Sequence, residues 1–478
     1  MMDGYPVPQL LIDGEWLTRS SSSSVIDPAT GKTIAHLPHA TDEDLDNAVA
    51  AASRAFAGWR RTAPAVRSEI MMRAAALVRG RIDAIAASVT ADNGKTLATA
   101  RGEVIRACEI IEWDASEGRR LYGRVIPGAH GMRTTVVREP SGVVAAFTPW
   151  NFPVASPARK IAGALAAGCS IVLKPAEEAP SGALALARAF QEAGVPDGVI
   201  NVIFGDPSTI SQRLIRDPAI RLITFTGSVA VGKRLASLAG GQMKPVIMEL
   251  GGHAPVFVCA DADPQAAAEQ SIAAKAMNTG QVCVSPTRFY VARAIYDRFA
   301  QACVQAAQQI SIGQGTRDDV VMGPLASSRR REAVESLVAD AIQVGGRLLT
   351  GGLRTEGAGY FYPLTVLADV PAMARVLHEE PFGPIAILIP FDSLSDAIAQ
   401  ANAVNYGLAA YAFTSCADTI AMLSDNVACG NLAINHFGAS SAETPMGGVK
   451  DSGLGREGGS EGLEGYTVAK TVIYRAVG

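Results

Sequence analysis

The sequence predicts an α/β protein built on a parallel, doubly wound sheet, with a second α/β region after it. Three observations carry that expectation. From Gly142 onward, short apolar segments alternate with helical ones. Those segments are apolar on both faces, as strands sandwiched between helices must be. The chain has 478 residues, more than one hydrophobic core can serve, so two or three domains are expected.

Taken in order, Leu10 to Trp16 reads as a strand and the serine run Ser20 to Ser24 as a structureless edge loop before the turn at Pro28. The Ala-rich amphipathic stretches Asp44 to Trp59 and Ala63 to Ala86 read as helices. Val143 to Thr148 is the first buried strand, and Val154 to Ala167 is a helix closed by Gly168. The strand Ser170 to Leu173 precedes a helix, Ser181 to Ala193, stopped by Gly194 and Pro196. Strands Val199 to Phe204 and Leu222 to Phe225 follow, then the turn Thr226-Gly227-Ser228 and the helix Val229 to Ala239. The second region begins near Gly251. Its helix Pro264 to Met277 ends at Asn278-Thr279-Gly280, which leaves Cys283 in a turn before the strand Arg288 to Ala292. The helix Ala294 to Ile310 leads to glycine-rich turns at Gly313 and Gly351. The tail, Leu463 to Val477, is polar and β-branched, suited to sheet extension or subunit pairing.

Composition narrows the function. Apolar residues make up 48% and charged residues 18%, an ordinary globular balance. A net charge of −4 and the lack of any Lys/Arg run argue against a nucleic-acid partner. Met1 to Leu10 holds no basic-then-apolar leader, and no apolar run approaches the roughly 20 residues of a membrane span. A cytoplasmic protein without a membrane partner is expected. The seven cysteines are scattered and the six histidines dispersed, so free thiols and no catalytic metal are expected.

Several motifs bear on chemistry. Gly453-Leu-Gly455-Arg-Glu-Gly458 has the spacing of a dinucleotide fingerprint, but it follows a polar turn near the C-terminus and reads as a glycine-rich loop. Gly227-Ser228, between a buried strand and a helix, is the better phosphate site, although alone it is also a common strand-to-helix turn. Lys174 and Glu177 sit where a strand end can offer hydrogen bonds to ribose hydroxyls; in isolation they read as a solvated strand end. Glu249 closes a very apolar strand beside two glycines, where burial would raise it toward a useful general base, or where it simply meets water. By residue type alone, Cys283 is an inert buried thiol.

Together, Trp150-Asn-Phe-Pro153, Phe225-Thr-Gly-Ser228, Glu249-Leu-Gly-Gly252, Gly280-Gln-Val-Cys283 and Glu380-Pro-Phe-Gly-Pro384 resemble the ordered motif set of the aldehyde dehydrogenase superfamily. The resemblance runs from Leu11-Ile-Asp-Gly-Glu-Trp16 to Pro445-Met-Gly-Gly-Val-Lys450 and beyond. It implies an aldehyde dehydrogenase-like α/β fold of two doubly wound domains plus a small β oligomerisation element. The NAD-binding domain would span 1–120 and 140–250, the catalytic domain 251–455, and the bridging element 121–139 with 456–478. A homodimer or homotetramer is implied.

The resemblance also assigns roles. Cys283 is the nucleophile, of low thiol pKa, and Asn151 with the Cys283 N–H stabilises the oxyanion. Glu249 is the base that hydrolyses the resulting thioester. Lys174 and Glu177 hold the adenosine ribose, while Trp150, Gly205, Gly227 and Ser228 line the adenine and pyrophosphate path. Glu380 holds the nicotinamide ribose and Phe382 packs beside the ring. A carboxylate at Glu177 repels a 2′-phosphate, so NAD is expected over NADP.

Within the superfamily the sequence looks most like the succinate semialdehyde and 2-oxoglutarate semialdehyde dehydrogenases. In that branch Arg159 would bind the distal carboxylate of a small-molecule aldehyde, with Ser441 assisting. The branch commonly carries a second Arg where this sequence has Met277, so a neutral aliphatic or aromatic aldehyde is the alternative substrate. Other classes of function are a CoA-acylating dehydrogenase, against which Glu249 argues; a non-catalytic scaffold, against which Cys283, Asn151 and Glu249 argue; and a thiol esterase, which would leave a dinucleotide site without purpose.

Overall fold

The computed structural model describes residues 4–355 and 357–475, so the end of the predicted tail at Val477 lies outside the described residues. Five parallel strands form the centre of an eight-stranded sheet. In space they run Val246–Leu250, Ile220–Gly227, Val143–Phe147, Ser170–Lys174, Ile200–Val202. Each is apolar because helices cover both faces. The chain steps outward through three strands, then returns to lay Ile220–Gly227 on the other side of Val143–Phe147. That reversal is the switch point at which the C-terminal strand ends part into a crevice. Antiparallel strands close both edges: Leu10–Ile12 with Glu15–Leu17 on one, and Gly453–Leu454 on the other.

Only Gly251-Gly252-His253 separates the strand Val246–Leu250 from Ala254–Val258 in the second sheet. This sheet has seven strands, in the order Arg347–Thr350, Thr365–Ala368, Ile385–Phe391, Pro286–Ala292, Ala254–Val258, Ala409–Phe413, Asn431–Ile434. All pair in parallel except the first, which is antiparallel. A third, antiparallel sheet joins Thr467–Arg475, Met132–Pro140 and Arg124–Ile126. It leaves Val125, Val468, Ile473 and Tyr474 exposed. Among the described residues, no helix is long and apolar enough to cross a membrane.

Three expectations about local structure need correction. Leu10 to Trp16 is a hairpin, because Asp13 and Gly14 both take positive φ (51° and 82°), the combination a tight two-residue turn requires. The serine run enters a strand, Ser22–Asp27, paired with Lys32–Pro38. The backbone ladder and the fully buried Val25 hold it, while serines stand on its outer face. The stretch Ala63 to Ala86 is two helices, Pro64–Arg79 and Ile82–Asn93, broken where Arg81 leaves helical geometry.

A buried ion pair fixes the loop that leaves the switch point. Lys95 Nζ donates to Glu103 Oε2 at 2.5 Å and to the Asn151 carbonyl at 2.8 Å. The other oxygen of Glu103 accepts the backbone N–H groups of Val154 (2.7 Å) and Ala155 (3.0 Å), the start of the helix Ala155–Ala167. Both side chains are almost wholly out of water. Removing one partner strands a charge and two amides, so Glu103→Ala is expected to cost about 3–5 kcal/mol. Thermal or denaturant unfolding measures this; a loss below about 1 kcal/mol would show that the loop is held by something else.

Candidate active site

The C-terminal ends of the first sheet face the entry to the second across a cavity of about 1030 Å³. It brings together Trp150, Asn151, Arg159, Gly227, Ser228, Glu249, Cys283, Glu380 and Phe382. Four other residues singled out in the sequence, Lys174, Glu177, Gly205 and Ser441, lie outside its lining.

Cys283 arrives by a strained route. After the helix Pro264–Ala276, Asn278, Thr279 and Gly280 all take positive φ, at 47°, 57° and 70°. Two non-glycine residues in that region cost energy that the surrounding contacts must repay. They do so through Asn278 Nδ2, which donates to the Asn151 carbonyl at 2.9 Å, and Thr279 Oγ1, which donates to the Gly323 carbonyl at 2.9 Å. Asn151 Nδ2 in turn donates to the Gln281 carbonyl at 3.0 Å. One amide hydrogen is used there, and the second remains for a ligand.

Glu249 ends its strand and is buried, with Oε1 lacking any partner. Burial and then the charge of Glu457 raise it to about 7, against partial opposition from Lys160 and Arg159. Cys283 differs from expectation. Its thiol is pushed well above the ordinary value by burial, then by the carboxylates of Glu249 and Glu380, and nearby backbone N–H groups offset only part of this. The predicted low pKa needs a cation beside the sulfur, and this crevice supplies carboxylates instead. Both groups are thus biased toward their neutral forms.

Glu380 accepts the Gly252 N–H at 3.1 Å, and burial raises it to about 7. Phe382 meets Trp150 edge-on at 5.5 Å. Ser228 precedes the helix Val229–Gly240 and makes no side-chain cap, so the first amides of that helix stay open toward the cavity. On the neighbouring strand end, Lys174 Nζ pairs with Glu177 at 2.6 Å, and Glu177 Oε1 accepts the Gly205 N–H at 3.3 Å. A dinucleotide fits this set: open amides for pyrophosphate, and anchored carboxylates for ribose hydroxyls.

Arg159 Nη2 donates to Ser440 Oγ (3.4 Å) and to the Ser441 carbonyl (3.3 Å), while Nη1 is buried without a partner. The Ser441 hydroxyl turns to Thr444, and it is Ser440 that lines the cavity. Sequence reading missed Arg106, which lines the same cavity from the helix Leu97–Glu117. It also missed the buried pair Lys160–Glu457. Glu457 falls inside the glycine-rich stretch set aside as a cofactor fingerprint. That stretch braces the site: Gly453 pairs with Glu249 across the sheet, and a side chain at Gly458 would strike Arg159.

The sequence profile of the aldehyde dehydrogenase family matches residues 16–472. A 4-(hydroxymethyl)benzenesulfonate dehydrogenase of Comamonas testosteroni is 45% identical, covering 99% of both chains. The NADP(+) succinate-semialdehyde dehydrogenase of Escherichia coli K12 is 41% identical over 97% of this chain and 96% of its own. The crystal structure of a succinate-semialdehyde dehydrogenase from Burkholderia pseudomallei superposes with a TM-score of 0.96 at 40% identity, covering 98% of each chain. The chain belongs to the aldehyde dehydrogenase family, whose fold it has and whose NAD(P)-dependent chemistry it shares.

Peptide-resolved alkylation checks the crevice electrostatics. Ionised Glu249 holds the Cys283 thiol up, so Glu249→Gln lowers the thiol pKa and should speed labelling of Cys283 several-fold above about pH 8. Below about pH 6 Glu249 is already neutral and the two proteins should label alike. Equal rates across the whole range would mean the two groups do not sense each other.

Proposed function

We propose that this aldehyde dehydrogenase oxidises a distally charged aldehyde, a semialdehyde or its sulfonate counterpart, to the carboxylate through a thioester on Cys283, preferring NAD+. The observation that carries the reading is one shared cavity holding Cys283, a carboxyl raised to about 7, and the Arg159 guanidinium, whose hydrogen bonds go to neutral acceptors of the 440–441 loop. Ionised Glu249 takes the thiol proton as Sγ adds to the aldehyde carbon. The free Asn151 amide hydrogen and the Cys283 N–H stabilise the oxyanion. Bound NAD(P)+ supplies the acceptor for the hydride released as this adduct collapses to the thioester. Glu249 then gives up that proton to solvent and, ionised again, takes one from water, whose oxygen adds to the acyl carbon; the C–S bond breaks, the proton returns from Glu249 to the sulfur and the acid leaves.

On the cofactor side, Lys174 and Glu177 serve the adenosine ribose, Trp150, Gly205, Gly227 and Ser228 the adenine and pyrophosphate, and Glu380 and Phe382 the nicotinamide end. The Glu177 carboxylate, pinned by Lys174 and the Gly205 N–H, favours a 2′-hydroxyl over a 2′-phosphate. For the substrate, Arg159 with the 440–441 loop takes the distal anion, and Met277 and Phe437 supply apolar walls. The names of the Comamonas and Escherichia relatives share a charged group away from the carbon oxidised.

The domain division 1–120 with 140–250, 251–455, and 121–139 with 456–478 belongs to the same reading, with Gly453–Leu454 joining the first sheet. The exposed apolar side chains of the three-stranded sheet favour a homodimer or homotetramer. Seven free cysteines suit a reducing cytoplasm.

Two measurements test the reading. NADH formation without CoA should favour succinate semialdehyde and 4-formylbenzenesulfonate over butanal and benzaldehyde in kcat/KM; a preference for the neutral aldehydes would remove the distal-anion assignment. Glu177→Ser should raise the NADP+/NAD+ ratio of kcat/KM by about tenfold, the effect of lifting one like-charge repulsion of about 1.4 kcal/mol. An unchanged ratio would remove Glu177 as the selector.

A further inference from the structure

Two guanidinium groups converge on one serine of the cavity wall. Arg106 Nη1 donates to the Ser440 carbonyl at 2.9 Å and reaches Ser440 Oγ at 3.5 Å. Arg159 Nη2 donates to the same hydroxyl at 3.4 Å. The two nitrogens therefore lie within two hydrogen-bond lengths of each other, and every acceptor they use is neutral. Arg159 Nη1 is buried with no partner at all. Desolvation and then the positive charge of Arg159 lower Arg106 from its usual range, ahead of the opposing pull of Glu109 and Glu443. Two like charges kept this close, each hydrogen-bonded only to neutral acceptors, form a place where an anion is attracted, with Glu109 and Glu443 acting on Arg106 and Asp114 and Glu249 on Arg159 as the carboxyl groups it must compete with.

The donor count says what kind of anion. A guanidinium fork satisfies both oxygens of a carboxylate by itself. A second arm beside the first has use when the ligand offers a third oxygen, as a sulfonate does. The surroundings fit an apolar body attached to that group, since Ile110, Met277 and Phe437 line the same cavity.

We propose that Arg106 is a specificity-determining residue that joins Arg159 in a two-armed clamp for the distal anion of the substrate, and that a sulfonate engages both arms. This rests on the reading that the enzyme takes distally charged aldehydes. Arg106 stands on the helix that also carries Glu103, so the clamp and the loop bearing Asn151 share one support.

The test compares wild type, Arg106→Leu and Arg106→Lys on 4-formylbenzenesulfonate, 4-formylbenzoate and benzaldehyde with NAD+. Arg106→Leu should lower the sulfonate-to-benzaldehyde ratio of kcat/KM by about tenfold or more, mainly through KM, and the benzoate ratio by less. Arg106→Lys should recover part of the loss. A common fall for all three aldehydes, or an unchanged sulfonate ratio, overturns the clamp. Calorimetric binding of benzenesulfonate separates the two readings. If wild type prefers benzaldehyde yet benzenesulfonate binds about tenfold more weakly to Arg106→Leu, the substrate assignment falls and the clamp stands. If the Kd for benzenesulfonate is unchanged, the clamp falls whatever the enzyme oxidises.

Discussion

The chain crosses from one sheet to the other in three residues, and the active site depends on that brevity. A side chain at Gly251 would fall 2.1 Å from Glu380 Oε2, and one at Gly252 2.7 Å from the Cys283 carbonyl. The link is thus pressed against the Cys283 backbone at Gly252 and against the Glu380 carboxylate at Gly251, with no room for a side chain at either. Glu249 lies on one side of the link, and the Arg288 guanidinium grips the His253 carbonyl on the other at 2.8 Å. No hinge-like length remains, so the spacing of Glu249 from Cys283 follows from covalent geometry and packing.

Pressing those edges together removes water from groups that want it. Glu249 and Glu380 meet the cost by shifting toward the neutral form, and Cys283 by staying protonated. Lys160 and Glu457 are buried too, and meet it by pairing with each other. Glu249, Glu380 and Cys283 therefore add little full charge to the crevice below about pH 7, where its standing charges are guanidinium groups such as Arg106 and Arg159. Charge is created there by proton transfer during the reaction, in a medium where each donor counts for more than it would in water.

Residues whose place in the fold is announced by their neighbours were legible in the sequence. Glu249 closes an apolar strand and precedes two glycines; Ser228 sits where a strand turns into a helix; the alternation of strands and helices gives the switch point. What escaped depends on contacts between distant segments. Glu103 acts on Val154 across 51 residues, and Arg106 on Ser440 across 334. A helical period says only that a face exists, not which cavity it meets. The strand at Ser22–Asp27 escaped because serines on its outer face carry no apolar alternation. The upward push on the Cys283 thiol escaped because it sums burial with the charges of Glu249 and Glu380, which lie on separate segments.

The protonated state of the cavity cysteine bears on how the enzyme ages. Peroxide attacks a thiolate, not a thiol, so an idle protein presents it with a poor target. On the thioester reading, the sulfur becomes a good target only once its proton has moved to Glu249, which is then neutral. Oxidative damage to Cys283 should therefore accumulate with turnovers performed more than with hours elapsed.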